Sequence, residues 1–256
     1  MENLSEILAR AQTGNQEAIS QLIDYYKEQN DEDKAAYWED KKTLENYAGL
    51  TILSMLMNGL ELLASQSMGA WDEVENNAKE IRKKAKELLE MYHRGDIYPN
   101  ADNIHTAKKH LADAEYGLAV AAYMRDDDAN KAFQILHAQE ELPIKSAALL
   151  GVAAAGINKL DVAYKQLNQV IYDQEYAQAD RANYFADEMI YAQAFHYMSA
   201  MYRIGLPGLV KQDLEHAMDI LGAGIRVIKD VDCRKILVNE LSKYKKKLFG
   251  GYKYVE

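Results

Sequence analysis

The hydrophobic positions of the chain recur at helical spacing from its first residues. Between residues 3 and 29 the apolar side chains fall three or four positions apart, on either side of a turn at Gly14-Asn15. This spacing places them on one face of a helix. The segment therefore predicts two short helices, with apolar faces formed by Leu4, Ile7, Leu8 and Ala11 and by Ala18, Leu22 and Tyr25.

The next stretch predicts a helix beginning between Asp31 and Lys34, with Trp38 on its buried side. Residues 49 to 66 are apolar nearly all round, and a helix of this kind is expected to lie between other helices. Because residues 49 to 80 match the repeat pattern described below poorly, we expect this segment to be irregular.

A break at Ser67-Met68-Gly69 precedes a long amphipathic helix over residues 70 to 94, which ends before Gly95. Asp102 is the expected N-cap of the helix that follows, since a carboxylate accepts hydrogen bonds from the first free backbone amides of a helix.

Beyond Ala114 two successive units share their spacing. Nine residues separate Tyr123 from Ala132, and nine separate Ala154 from Ala163. Asp126 to Asp128 make the turn within the first unit. The rest of the chain predicts helices over Tyr184 to Arg203, Leu209 to Ile228 and Val231 to Phe249, followed by a tail at residues 250 to 256.

A second skeleton also occurs twice. Tyr92, Gly95, Ala107 and Leu111 are matched at the same spacing by Tyr202, Gly205, Ala217 and Leu221. In each copy an aromatic residue closes a helix, glycine permits a left-handed exit, and alanine allows a close helix crossing. A fixed skeleton that recurs along one chain is typical of a helical repeat array.

These units resemble the tetratricopeptide repeat, and the copies with the longer glycine turn resemble its Sel-like variant. The resemblance covers about two thirds of the chain, although Val120 and Leu89 occupy positions where the family usually has glycine. It implies an all-α fold: a right-handed α-solenoid of antiparallel helix hairpins, forming a single domain over residues 1 to 256.

Composition agrees with this class and narrows the function. Only three of the 256 residues are proline, and the formal net charge is -10. A general nucleic-acid binder needs a clustered positive surface, so nucleic acid is not the expected partner. The N-terminus lacks the pattern of a signal peptide, and the apolar run Leu50 to Ala64 is shorter than a membrane span. We therefore expect a cytoplasmic protein that does not insert into a membrane.

No sequence motif indicates catalysis, a metal or a cofactor. Cys233 is the only cysteine, and His105 and His110 are five residues apart, whereas a zinc-binding pair on a helix needs a spacing of four. Phosphate loops, dinucleotide fingerprints and nucleophile elbows are missing. We accordingly expect neither a cofactor nor enzymatic activity.

The resemblance implies an interaction scaffold that holds a peptide or partner protein in a concave groove lined by the first helix of each hairpin. Several cations on this surface favour an acidic partner. The groove residues predicted in this way are Lys86, Glu90, His93, Met124, Arg125, Gln193, His196 and Arg203.

Two other functions remain open from the sequence. One hypothesis is a small-molecule or enzymatic pocket lined by the tyrosines of the helix ending at Arg203, namely Tyr184, Tyr191, Tyr197 and Tyr202. Alternatively, the protein is a structural module that associates with itself, because the ends of a helical array are often apolar.

Overall fold

A computed structural model describes residues 3–139, 142–172, 185–247 and 251–255. These ranges are predominantly helical, which confirms the all-α class. They contain the helices α1 (Leu4–Ala11), α2 (Gln16–Glu28), α3 (Glu32–Met68), α4 (Trp71–Arg94), α5 (Ala101–Asp126), α6 (Ala129–His137), α7 (Ile144–Gly156), α8 (Leu160–Tyr172), α9 (Phe185–Ile204), α10 (Leu214–Val227) and α11 (Val231–Leu241), and the strands β1 (Tyr244–Lys246) and β2 (Tyr252–Tyr254). Tyr184, residues 248–250 and Glu256 lie outside the described residues.

Short polar side chains set several of the helix boundaries. The side chain of Asn15 accepts a hydrogen bond from the amide of Ala18 at 2.9 Å, and Asp128 accepts from Lys131 at 2.8 Å. Such caps satisfy amides that have no partner within the helix. Gly95 and Gly205 both have φ of 76°, so the expected left-handed exits after α4 and near the end of α9 are confirmed.

The chain divides into two compact units by its internal contacts. Unit 1 comprises Met1–Leu62 and Asn76–Ala114, and unit 2 comprises Leu63–Glu75 and Glu115–Glu256. The single domain expected over residues 1 to 256 stays a prediction.

Unit 1 has two hydrophobic clusters. One surrounds Trp38, which is only 5% exposed, so its expected place in the core is confirmed. The other contains Met55 of α3 together with Leu88 and Met91 of α4 and Ala107 of α5. Fully buried alanines such as Ala107 allow neighbouring helices to approach closely.

Unit 2 is built by packing of successive helices. Helix α7 packs against α6 and α8, and α9 packs against α7, α8, α10 and α11. Helix α7 is buried from Ser146 to Ala154. Ala132, Ala154 and Ala163 are fully buried, which agrees with the repeated small positions in the sequence.

Helix α3 differs from expectation in its exposure. It is one helix of 37 residues, and with α4 it makes residues 49 to 80 helical apart from the short break after Met68. The departure of this segment from the repeat pattern stays a prediction. The apolar stretch is not enclosed by other helices: Leu50 is 66% exposed and Leu60 is 70% exposed. Composition alone does not reveal which side of an apolar helix has a neighbour.

Three boundaries are corrected. The N-cap of α5 is Asn100, whose side chain accepts from the amide of Asn103 at 3.0 Å, whereas Asp102 lies in the first turn. Helix α10 begins at Leu214 rather than Leu209, after a short bridge between Leu206 and Val210.

The third correction concerns the C-terminal helix, which was expected to continue to Phe249 but ends at Leu241. The following residues form an antiparallel hairpin in which Tyr244 pairs with Tyr254 and Lys246 pairs with Tyr252. Tyrosine favours a strand, and Gly251 takes the positive φ of 70° that the reversal requires.

Candidate functional site

The predicted groove residues of α4 share an exposed face. Lys86, Glu90 and His93 are spaced at i, i+4 and i+7, which places them in one row along the helix. All three are exposed. This part of the predicted groove is a mixed-charge surface in unit 1.

Arg125, at the end of α5, is engaged by carboxylates of unit 2. Its guanidinium lies 2.7 Å from Asp72, 2.8 Å from Glu75 and 2.6 Å from Asp126. The pKa of the guanidinium is raised, most by its hydrogen bond with Asp126 and next by its hydrogen bond with Glu75. Since three carboxylates surround one cation, Arg125 joins α4 to α5 and offers little net positive charge to an acidic ligand. The adjacent Met124 is half-buried.

The predicted residues of α9 contact other parts of their own unit. The hydroxyl of Tyr123 donates to Gln193 Oε1 at 2.9 Å. The guanidinium of Arg203 stacks on the ring of Tyr254, 4.0 Å from its centroid. Burial lowers the pKa of His196, although Glu240 opposes that shift. The face predicted to receive a peptide therefore contacts α5 at Gln193 and the C-terminal segment at Arg203.

Glu240 is the central charge of that region and was not recognised from the sequence. It is 5% exposed and accepts from the Tyr254 hydroxyl at 2.7 Å and from Lys243 Nζ at 2.9 Å. Burial alone would raise the pKa of its carboxyl, but the hydrogen bonds from Lys243 and Tyr254 outweigh burial and lower the pKa. The bond from Tyr254 connects β2 to α11. The two bonds together also give the buried carboxylate the partners without which its burial would be costly.

Two neighbouring carboxylates lie at the start of α9, where Asp187 is half-buried and Glu188 is buried. The Tyr116 hydroxyl donates to Asp187, and burial raises the pKa of Asp187 despite this bond. Glu188, 2% exposed, accepts from the amides of Lys229 at 2.6 Å and Asp230 at 3.2 Å just before α11. Perturbed carboxyls often mark active sites, yet Tyr116 is only 1% exposed, so this pair has a packing role.

Rings from α8, α9 and α10 form a partly exposed aromatic cluster. Tyr172 OH lies 2.6 Å from Nε2 of His216, and the Tyr202 ring stands edge-on to His216 with 4.3 Å between centroids. Tyr202 was predicted to close its helix, but no sequence pattern indicated its contact with Tyr172. Of the other predicted pocket tyrosines, Tyr191 is buried and Tyr197 is half-buried.

Within the described ranges, no three side chains among His, Cys, Asp and Glu come together as a metal site. Cys233 is buried, and burial raises the pKa of its thiol to about 12. A thiol that stays protonated is a poor nucleophile.

The most unusual surface is the exposed apolar side of α3. We define the α3 face as Leu50, Leu53, Leu56, Met57 and Leu60, which are between 44% and 70% exposed. Large contiguous apolar patches are uncommon on soluble monomers and mark interaction sites. Among the described residues, α3 is also the one helix long and apolar enough to cross a membrane; core helices of soluble proteins meet that criterion too.

A scan against protein-family models finds no match, and comparisons with curated proteins and with solved structures find no similar protein. The tetratricopeptide resemblance therefore rests on the sequence spacing alone.

Proposed function

We propose that the protein is an interaction scaffold that docks a partner protein on the α3 face. The observation that carries this proposal is the exposure of five large apolar side chains, all in unit 1, on one helix. Their transfer from water into an interface is favourable in proportion to the apolar area removed. A docking role also accounts for the exposure of residues 49 to 66, whose apolar sequence is typical of a buried helix.

The helices themselves are proposed to form a right-handed solenoid of antiparallel, tetratricopeptide-like hairpins. Short connections such as the one between Gly156 and Leu160 favour antiparallel neighbours, and the buried alanines at matched positions are what a repeated crossing requires. Arrays of this kind commonly serve as scaffolds because they offer extended surfaces.

The α3 face is a better docking surface than the predicted cationic groove. Arg125 is surrounded by carboxylates and Arg203 lies against Tyr254, so both cations already have partners. An apolar partner helix gains contact on α3 without breaking any of these bonds. We therefore propose an apolar docking segment rather than an acidic peptide.

The test replaces Leu53 and Leu60 together by lysine, which keeps helix propensity nearly constant. We expect the tagged double variant to lose at least about tenfold of the specific protein bound by the wild-type chain, an effect of about 1.4 kcal/mol or more. The matched control is Val238→Lys on α11, because Val238 is 45% exposed and lies outside the α3 face. Quantitative mass spectrometry after crosslinking measures the bound protein. Equal binding by all three chains would disprove the proposal.

A small-molecule site is the second candidate, supported by the cluster of Tyr172, Tyr202 and His216. Aromatic faces with hydroxyl and imidazole groups suit a flat or cationic ligand. A thermal-shift screen against such compounds should give saturable stabilisation that Tyr202→Ala abolishes. Stabilisation that persists in this variant would place the ligand elsewhere.

A further inference from the structure

The C-terminal hairpin concentrates positive charge in an acidic chain. Between Glu240 and Glu256 the sequence contains five lysines and no acidic residue, whereas the whole chain has a formal net charge of -10. Lysines in the last turn of a helix would be stabilised by the negative end of that helix. Because α11 ends at Leu241, most of these lysines lie in the hairpin instead.

Three of these lysines share one face of the hairpin. Lys245 is directly opposite Lys253 in the antiparallel register. Alternate side chains of a strand point to the same face, so Lys247 lies on this face too; its amide donates to the carbonyl of Gly251 at 3.0 Å and continues the pairing beyond β1. All three lysines are exposed. We define the lysine face as Lys245, Lys247 and Lys253.

The charges of the lysine face have no counter-charge among the described residues. Glu240, the acid that precedes them in the sequence, is buried and already accepts from Lys243 and Tyr254. Like charges placed directly opposite each other on two strands destabilise the pair. A local arrangement that is unfavourable and that the chain does not compensate is typical of a functional surface.

The other face of the hairpin holds it against the protein. Tyr244 is 7% exposed, and its hydroxyl lies 3.4 Å from Oγ of Ser199. Arg203 stacks on the ring of Tyr254, and this ring meets Tyr244 edge-on with 5.1 Å between centroids. These contacts fix the hairpin, so the lysine face is a preformed surface.

Nucleic acids and membranes match this surface poorly. Proteins that bind single strands place aromatic rings beside the cations so that bases can stack on them, but Tyr244 and Tyr254 lie on the opposite face. Basic clusters that bind anionic lipids contain about four to eight cations, and the lysine face has three. The acidic remainder of the chain would also be repelled by either polyanion.

An extended acidic segment matches the lysine face better. Lys245 and Lys247 are about 6.8 Å apart along the hairpin, which is also the spacing of alternate residues in any extended segment. Carboxylates at every second position can therefore face both lysines at once. Such pairing gives specificity and a fast encounter through complementary charge.

We propose that the lysine face binds an extended acidic segment of a partner protein. An acidic partner is thereby placed on the hairpin rather than in the predicted groove, where Arg203 already has a partner. The hairpin belongs to unit 2, so this surface is additional to the α3 face of unit 1 and goes beyond the function proposed for that face.

The first experiment measures binding of a fluorescent peptide of about eight residues, within the usual length of a strand, in which glutamate alternates with threonine. Anisotropy at low ionic strength reports its binding to the full chain. The wild-type chain should bind it, and Lys245→Gln/Lys247→Gln/Lys253→Gln should bind at least about fivefold more weakly, because three exposed ion pairs are lost and each contributes modestly.

The matched control is Lys108→Gln/Lys165→Gln/Lys211→Gln, which removes the same charge from exposed positions outside the hairpin. It should bind the peptide like the wild-type chain. An equal loss in the two triple variants would mean that total charge alone governs binding, and it would overturn the proposal.

Two single variants test which face of the hairpin is used. Lys245→Gln and Lys246→Gln remove the same charge from adjacent positions of β1, but Lys246 lies opposite Tyr252 on the tyrosine side. Lys245→Gln should weaken peptide binding by about two- to fivefold, the effect of one exposed ion pair, and Lys246→Gln should not. Equal losses in both variants would overturn the assignment to the lysine face.

The melting temperature separates binding from a structural role. Lys253→Gln removes the like-charge contact with Lys245, so the free variant should melt at the wild-type temperature or up to about 4 °C higher, although it binds the peptide more weakly. A lower melting temperature together with weaker binding would show that Lys253 supports the fold, and it would overturn the proposal.

Two further probes test the class of partner: a deoxythymidine oligonucleotide of about ten nucleotides and vesicles containing phosphatidylserine. The acidic peptide should bind more tightly than either, and added salt should weaken its binding. No detectable peptide binding, or tighter binding of the oligonucleotide or the vesicles through the same lysines, would overturn an acidic protein segment as the occupant. None of these results bears on the α3 face, since Leu53 and Leu60 are unchanged in every variant.

Discussion

Gly224 is a residue where the absence of a side chain is required by packing. A Cβ added there would lie 2.6 Å from Leu237 Cδ1 and 2.7 Å from Phe195 Cγ. The leucine methyl group can move away, but Cγ of Phe195 lies close to the α9 backbone and cannot move without it. Glycine at this position therefore allows α9, α10 and α11 to meet.

Gly224→Ala is expected to destabilise the protein by about 1–2 kcal/mol, because overpacking costs about 1–3 kcal/mol and exceeds the helix-propensity gain of up to about 1 kcal/mol. The matched control is Gly222→Ala in the same helix, where the nearest atom would be 3.6 Å away. That change should be neutral or stabilising. Urea unfolding of both variants measures the difference, and equal effects would contradict the packing argument.

His110 makes stability depend on pH. Burial lowers the pKa of this side chain, which packs against Gly59, while Asp113 raises it and Lys109 lowers it. With a lowered folded-state pKa, the imidazole contributes stability that is fully present above its unfolded value of about 6.5. This contribution is lost as the pH falls from there through the folded pKa.

His110→Gln should accordingly show a smaller fall in melting temperature between pH 7.5 and 5.5 than the wild-type chain. Each unit of pKa lowering corresponds to about 1.4 kcal/mol, or roughly 3–6 °C for a chain of this size. His105→Gln serves as the control, since His105 is exposed on the same helix. A pH dependence unchanged by His110→Gln would exclude this residue as a source.

At the scale of helices, the start of α5 shows how local chemistry and position combine. Asn100 and Asp102 are both good capping residues, so sequence alone permits either choice. In the structure Asn100 is the cap: its side chain accepts from the amide of Asn103, and its carbonyl accepts from the amide of Ile104 at 2.9 Å. Asp102 lies in the first turn, where its charge faces the positive end of the helix.

Asn100→Ala should destabilise the protein by about 1 kcal/mol, the usual contribution of an N-cap. Asp102→Ala should cost less, about 0.3–1 kcal/mol, and its effect should diminish with added salt because it is electrostatic. Thermal unfolding at low and high ionic strength distinguishes them. A larger, salt-independent loss for Asp102→Ala would mean that Asp102 is the cap.

Helix periodicity located most elements because each has an apolar face of its own. The pairs around Gly14 and the turn at Asp128 were predicted correctly, since capping side chains and glycines mark them locally. The exposed side of helix α3 was not predicted, because the stretch is apolar nearly all round and periodicity gives no contrast between its sides. The C-terminal hairpin was missed because two strands of three residues are too short to show alternation.

For the whole molecule, docking of a partner on the α3 face predicts a stability that depends on the concentration of that partner. Binding that occurs only in the native state raises the melting temperature by mass action. We expect an excess of the partner to raise the melting temperature of the wild-type chain by a few degrees, because binding that adds about 1 kcal/mol has an effect of this size.

Differential scanning fluorimetry with and without the partner measures that rise. Leu53→Lys/Leu60→Lys should melt at one temperature throughout, and Val238→Lys should behave like the wild-type chain. An equal rise in the double variant would indicate that the partner docks on another surface.

The sequence by itself determined the helical class, most helix boundaries and the small residues at close crossings, because these follow from local spacing, capping and side-chain size. It also marked Trp38 and Ala107 as core. Only the tertiary structure decided which apolar residues remain exposed and which cations are already paired. Arg125 meets Asp72 across 53 positions of the chain, and Leu50 remains exposed because the packed core contacts the other side of α3. Burial and ion pairing depend on residues that are distant in sequence. The local spacing of apolar and charged residues therefore does not reveal them.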